Sequence, residues 1–242
     1  MQKIYSHPKS LRKVSTHYCP GCGHGIAHSL VAEVIDELKI RQRVIGIAPV
    51  GCAVLAYEYW DFDTCEAAHG RALAVATGMK RLHPENIVFT YQGDGDLAAI
   101  GPCETGHAAN RGENLTVIFI NNAVYGMTGG QMAPTTLIGQ KTATTPWGRD
   151  VKDTGYPLKI SELLAGLAGV KYVERTALYS PQTVIQTRRA IKQAFKNQVD
   201  NVGFSLVEIL SACPTYWQKR PKQAIDWIRD EMVKEFPLGR MK

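Results

Sequence analysis

IVFTYQGDGDLAAIGPCETGHAANRGENLTVIFINN, residues 87–122, holds two apolar runs, each closed by a polar cluster. The first, 87–91, runs into Gly93-Asp94-Gly95-Asp96. The second, 115–120, is apolar enough to be a strand covered on both faces, and it ends at Asn121-Asn122. Between them, 96–111 reads as a helix of small residues. Strand, helix, strand at this length makes a parallel unit, and the same alternation extends both ways along the chain. Upstream lie a helical stripe over 25–38 (Ile26, Leu30, Val34, Leu38), a β-branched strand over 43–50 and an Ala-rich helix over 70–82. Downstream come helix 160–167, strand 170–173, helix 181–198, strand 204–210 and an amphipathic helix over 222–235 carrying Trp227, Ile228 and Met232. This pattern predicts an α/β fold, a parallel sheet with helices on both faces, as one domain over 1–242. Ligands of such sheets collect outside the carboxyl ends of the strands. The polar clusters fall there, at Gly51-Cys52, 93–96 and 121–122.

The 242 residues are ordinary for a soluble globular protein, with 45% hydrophobic and 21% charged residues. No apolar run reaches the ~18 residues of a membrane span. The segment 1–12 is polar and basic without an apolar stretch behind it, so a cytoplasmic location is expected. The net charge of +6 raises the question of nucleic acid. Its basic residues are scattered or gathered near the ends, at 9–13 and 219–222, with no aromatic-interleaved stripe. We therefore expect neither a nucleic-acid nor a membrane partner. The segment 121–156 is rich in Gly, Thr and Pro and lacks periodicity, a length that signals a functional or partner-covered loop.

Glycines on both sides of Asp94 permit a sharp turn and close approach of backbone to a ligand. The helix that follows offers free N–H groups and a dipole that favours phosphate. Asp94 adds a hard oxygen suited to Mg²⁺, and the Asn122 side chain and Val124 carbonyl can complete the protein's share of about six oxygens. The spacing lacks the third glycine of a dinucleotide fingerprint. Gly-Asp-Gly followed 28 positions on from Asp94 by the second Asn of a post-strand Asn-Asn pair resembles the thiamine-diphosphate motif.

Six cysteines in a reducing compartment point to metal or catalysis rather than disulfides. Cys19-Pro-Gly-Cys22 is a turn before a helix, Cys52 closes a strand, and Cys213 follows the last strand. Together they suit either a [4Fe–4S] cluster or a Cys₄ zinc site. Cys65 and Cys103 read as buried small hydrophobes. His24 and His28 stand at i, i+4 without a nearby acid, which reads as helix surface.

Cys19-Pro-Gly-Cys-Gly-His24, Val50-Gly-Cys52, His69-Gly-Arg71, Gly93-Asp-Gly-Asp96 and Tyr125-Gly-Met-Thr-Gly-Gly-Gln131 together resemble the β subunit of 2-oxoacid:ferredoxin oxidoreductases. The likeness spans residues 18–214. It implies a chain that binds thiamine diphosphate, Mg²⁺ and one [4Fe–4S] cluster. It assigns Cys19, Cys22, Cys52 and Cys213 to the cluster, and Gly51, Cys52, His69, Gly70, Gly93–Asp96, Asn122 and Tyr125, Gly126, Met127 and Thr128 to the cofactor. Where many members carry Gly-Lys after the Gly-Cys pair, this chain has Ala53-Val54-Leu55. That change, with Gln131-Met-Ala-Pro-Thr-Thr136, resembles the 2-oxoisovalerate branch. Val54 and Leu55 would line a pocket for an apolar tail, since an unpaired second carboxylate is costly to bury. The same chemistry on 2-oxoglutarate, pyruvate or an aryl 2-oxoacid is the near alternative. A non-redox thiamine decarboxylase or carboligase with structural zinc is the distant one.

The implied reaction is CoA-dependent oxidative decarboxylation to acyl-CoA and CO₂, with electrons leaving to ferredoxin. The implied partners are an α subunit, which would supply the acid facing the aminopyrimidine ring, γ and ferredoxin-like δ subunits, and ferredoxin. No general base is assigned to this chain. The loop 121–156 and the basic tail are the expected partner contacts.

Overall fold

Six strands alternate with helices because their apolar residues cannot be covered from one side alone. A computed structural model describes residues 6–242, so part of the basic stretch 1–12 lies outside it. The order is α1 (His24–Leu38), β1 (Val44–Pro49), α2 (Ala56–Tyr59), β2 (Asp63–Ala67), α3 (Ala72–Leu82), β3 (Ile87–Gly93), a π-helical turn (Gly95–Ile100) and α4 (Pro102–Asn110). Then follow β4 (Thr116–Asn121), α5 (Val151–Thr154), α6 (Ile160–Ala165), β5 (Val170–Ala177), α7 (Pro181–Val199) and β6 (Phe204–Leu210). The chain ends in α8 (Pro221–Trp227), a π-helical turn (Ile228–Met232), α9 (Val233–Glu235) and β7 (Gly239–Arg240).

Among the described residues seven strands lie in the order β2-β1-β3-β4-β6-β5-β7, parallel except for β7. Every residue of β4 and β6 is buried. On one face the strands pack against α1 and α7, through Val31, Ile35, Ile191 and Phe195. On the other they meet α3, α4 and α6, through Leu73, Ala76, Ala108 and Leu164. A third apolar cluster, with Trp217, Ile228, Met232 and Phe236, seats the C-terminal helical segment against the ends of β4 and β6.

Three expectations change. The helix read over 96–111 divides at Gly101: a π turn precedes α4, whose first residue is Pro102. Pro102 has no N–H to continue the hydrogen-bond ladder, and it suits a first helical position. The edge strand β2 (Asp-Thr-Cys-Glu-Ala) escapes sequence reading because two of its five residues are charged and exposure leaves it no apolar period. The tail helix over 222–235 is interrupted by a π turn.

The loop 121–156 is held by Arg149, which is 4% exposed. Its guanidinium donates to the carbonyls of Pro134, Thr136, Thr154, Gly155 and Tyr156. One side chain thereby satisfies five backbone acceptors that the missing secondary structure would leave open.

Candidate cofactor site at the carboxyl edge

Strands β1, β3, β4 and β6 are consecutive neighbours. Parallel pairing therefore brings their exits, Gly51-Cys52, Gly93 to Asp96, Asn121-Asn122 and Ser211 to Cys213, to one edge. A cavity opens there, lined by Gly51, Cys52, His69, Gly93, Asp94, Gly95, Asp96, Asn122, Val124, Tyr125, Gly126, Met127 and Thr128, together with His24, Val50 and Ala53. Of the residues expected to bind cofactor, Gly70 alone is not on the wall. Its N–H donates to Asp96 Oδ1 at 2.6 Å, and a side chain there would overlap Ile100. Val54 and Leu55 are half-buried in the turn after Ala53 and do not line the cavity.

The two glycines around Asp94 differ in what they permit, and neither has a positive φ. A Cβ on Gly93 meets nothing within 4 Å, so its space opens into the cavity. A Cβ on Gly95 would overlap the Tyr125 ring, whose hydroxyl donates to the Gly95 carbonyl at 3.2 Å. Gly93 leaves room for a ligand, whereas Gly95 leaves room for a protein side chain.

Asp94 is buried and accepts from Gly95 N at 2.8 Å and from Thr135 Oγ1 at 2.6 Å. Burial raises its pKa to about 6, with the hydroxyl and amide donors of Thr135, Gly95, Ala123 and Val124 opposing the rise and no cationic side chain among its influences. A buried carboxylate of this kind, with hydrogen bonds but no counter-charge, fits a divalent cation. Asp96 faces otherwise. It accepts from Gln92 Nε2 at 2.7 Å and from Gly70, and it meets His69 Nδ1 at 2.5 Å, so it fastens the exit of β2 to that of β3. Asn121 and Asn122 also separate: Asn121 Nδ2 donates to Glu208 inside the core, while Asn122 reaches the cavity.

The Cys-x-x-Cys turn rests on the exit of β6, where a Cβ on Gly23 would overlap Ser211. Cys52 Sγ and Cys213 Sγ lie 3.2 and 3.7 Å from where a Cβ of Gly126 would stand. Burial pushes the thiols of Cys22 and Cys213 up to about 12; Cys52 adds to the rise of both, and Cys22 to that of Cys213. Cys19 in turn raises Cys22 and Cys52. Four thiols thus share one neighbourhood, and soft donors of this kind suit iron–sulfur or zinc. Among the described residues no three His, Cys, Asp or Glu side chains are gathered as ligands of a single metal ion. Cys103 is exposed and Cys65 intermediate, so neither is the buried hydrophobe expected of it: α4 turns Cys103 outward and β2 is an edge.

His24 and His28 are buried, against the helix-surface expectation. The face of α1 that carries them packs on Tyr18, Tyr59, Trp60 and Tyr91. His24 Nδ1 lies 2.7 Å from Tyr91 Oη, and burial lowers its pKa to about 3. Tyr18 donates to the Cys52 carbonyl at 2.9 Å and also meets His28 Nε2 at 3.1 Å. Sequence reading missed Tyr18, Thr135 and Trp217 as site residues. No local spacing marks them; they meet the site only through the fold.

This fold and cavity define a thiamine-diphosphate-binding domain. The profile of the thiamine pyrophosphate enzyme C-terminal TPP binding domain matches residues 49–209. The chain belongs to that family and, within it, to the 2-oxoacid oxidoreductase subunits. It is 50% identical over its full length to the ketoisovalerate oxidoreductase subunit VorA of Methanothermobacter thermautotrophicus, of which it covers 53%. It is 36% identical to the 2-oxoglutarate synthase subunit KorB of Archaeoglobus fulgidus, over 95% of this chain and 82% of that one. The chain spans about half the length of the ketoisovalerate relatives. Among solved structures, a 2-oxoglutarate:ferredoxin oxidoreductase from Magnetococcus marinus, with 2-oxoglutarate, coenzyme A and succinyl-CoA bound, aligns with a TM-score of 0.77 at 29% identity. The alignment covers 91% of this chain and 71% of that one. Among the described residues no helix is long and apolar enough to cross a membrane.

Proposed function

We propose that this chain is the thiamine-diphosphate-binding part of a 2-oxoacid:ferredoxin oxidoreductase acting on 2-oxoisovalerate or a similar branched-chain acid. The observation that carries the reading is the single cavity in which the exits of β1, β3 and β4 place Cys52, Asp94 and Asn122 together. The overall conversion is a 2-oxoacid and CoA to acyl-CoA, CO₂, a proton and two electrons. Thiamine diphosphate, when bound, would supply the electron sink for loss of CO₂, and a [4Fe–4S] cluster held by the four cysteines would supply a one-electron carrier for the two electrons in turn.

The chain's own residues hold and orient. Asp94, the Asn122 side chain and the Val124 carbonyl are the Mg²⁺ ligands in this reading, and the open space at Gly51 and Gly93 receives the diphosphate. His69 and Gly126 to Thr128 form the surrounding wall, and Cys19, Cys22, Cys52 and Cys213 ligate the cluster. Both carboxylates of the cavity are already engaged, Asp94 with Thr135 and Asp96 with His69, Gly70 and Gln92. The resemblance implies that the acid facing the aminopyrimidine ring comes from a partner chain, and the engagement of both carboxylates is consistent with that. The relatives' being named as subunits supports such a partner. So does a set of exposed apolar side chains on the loop after β4: Met127, Ile138, Tyr156 and Trp147, the last 93% exposed.

The substrate branch rests on identity to the ketoisovalerate subunits and on the absence of lysine after Gly51-Cys52. The 2-oxoglutarate relatives keep that acid as the second reading. Viologen reduction by the anaerobically purified complex, with CoA and each of 2-oxoisovalerate, 2-oxoglutarate, pyruvate and an aryl 2-oxoacid, decides between them. Fastest reduction with 2-oxoisovalerate is expected. Preference for 2-oxoglutarate would refute the branched-chain reading, and no reduction with any acid would refute the activity.

A further inference from the structure

The exit of β4 turns through Ala123 at φ 56°, a left-handed conformation in a residue that carries a Cβ. A residue held this way, between Asn122 and Val124 of the cavity wall, persists only where its surroundings over-determine it. The surroundings here are specific. The Ala123 carbonyl accepts from Thr136 Oγ1 at 2.8 Å and from Gln140 Nε2 at 3.0 Å. The Asn122 carbonyl accepts from the indole N–H of Trp217 at 2.9 Å. The Ala123 N–H donates to Asn121 Oδ1 at 3.2 Å, and Asn121 is itself fixed by Glu208. Thr136 and Trp217 are buried, so these bonds form away from competing water.

We propose that Thr136, Gln140 and Trp217 are positioning residues of the magnesium–diphosphate site. They clamp the two peptide carbonyls on either side of the Asn122–Ala123 bond, and so aim the Asn122 side chain, which would otherwise leave the cavity as the turn relaxed. Trp217 does more. Its backbone N–H donates to the Cys213 carbonyl at 3.0 Å, so one residue ties the turn that bears Asn122 to the turn that bears Cys213. The indole thus adds a side-chain tie, beyond the end of the β4–β6 ladder, between the metal-binding turn and the turn that bears Cys213. This inference rests on the cofactor reading above.

The test is calorimetric titration of thiamine diphosphate at graded Mg²⁺ into the complex, purified with its partner chains and stripped of cofactor with chelator. Thr136→Val keeps shape and removes the hydroxyl, and Trp217→Phe keeps an aromatic ring and removes the N–H. Each removes one hydrogen bond to the Asn122–Ala123 turn, Thr136→Val also freeing the Ala133 N–H, and each is expected to raise the half-saturating Mg²⁺ about fivefold, the worth of one buried hydrogen bond. Thr136→Ser retains the bond and should behave as the unsubstituted protein. Adding Ala123→Gly should restore most of the loss, because glycine holds a positive φ without the clamp. A merely structural defect would not respond to Ala123→Gly and would be shared by Thr136→Ser; that pattern overturns the proposal, as does unchanged Mg²⁺ dependence in both single variants. Absence of Mg²⁺-dependent binding in the unsubstituted complex would instead overturn the cofactor reading, and the proposal with it.

Discussion

Burial raises the pKa of Asp94 to about 6, against 3.8 for an ordinary aspartate; the four neutral donors around it oppose that rise only in part, and among the described residues no cation adds to them. The folded, metal-free chain therefore binds more protons than the unfolded chain between those values. Its stability falls as pH rises from about 4 to 6, by roughly 3 kcal/mol from this group, and levels off above. Mg²⁺ must displace the same proton. Cofactor affinity should then drop about tenfold per pH unit below pH 6 and be flat above it, measurable by titration at fixed Mg²⁺. Asp94→Asn removes the buried charge but keeps an acceptor. It is expected to raise the metal-free melting temperature by several degrees while abolishing Mg²⁺-dependent binding. A variant that still binds, or that melts lower, would contradict the role given to this carboxylate. At the same scale, Gly93→Ala should leave stability within about 0.5 kcal/mol and weaken cofactor binding, since its Cβ points into open space. Gly95→Ala should instead cost about 1–3 kcal/mol by displacing Tyr125.

Elements with a long apolar period were legible in sequence. Strand 204–210 matches β6, and helix 181–198 matches α7 to within one residue, where Ser180 and Thr183 form a capping box around Pro181 at the first helical position. The carboxyl-edge placement of Gly51, Asp94 and Asn122 was legible for the same reason, because strand ends fix it. What lay hidden depended on contacts distant in sequence. Thr135 meets Asp94 across 41 positions, and Tyr91 meets His24 across 67. The histidines at 24 and 28 looked superficial because i, i+4 spacing reports a shared helix face but not which face is buried. The loop 121–156 looked irregular, and it is; its order comes from Arg149 rather than from periodicity. Arg149→Met should leave several buried carbonyls without donors, lower stability by about 3 kcal/mol and open the loop to limited proteolysis. Uncleaved loop in that variant would show that other contacts suffice.

At the scale of the whole molecule, the sheet gathers two kinds of ligand at one edge: hard oxygens from β3 and β4, and thiols from β1, β6 and the turn before α1. The first kind serves thiamine chemistry of any sort. The second makes one-electron oxidation the reading to test. Both cavity carboxylates are committed, so the chain freed of its partners should bind cofactor and turn over no 2-oxoacid. Detectable oxidation by this polypeptide alone would overturn that division of labour. The most direct test of the account is the visible spectrum of the anaerobically purified complex before and after addition of 2-oxoisovalerate and CoA. The account predicts a brown protein with a broad band near ~400 nm, bleached by substrate only when thiamine diphosphate and Mg²⁺ are present. A colourless zinc protein, or a band that substrate leaves unchanged, would contradict it.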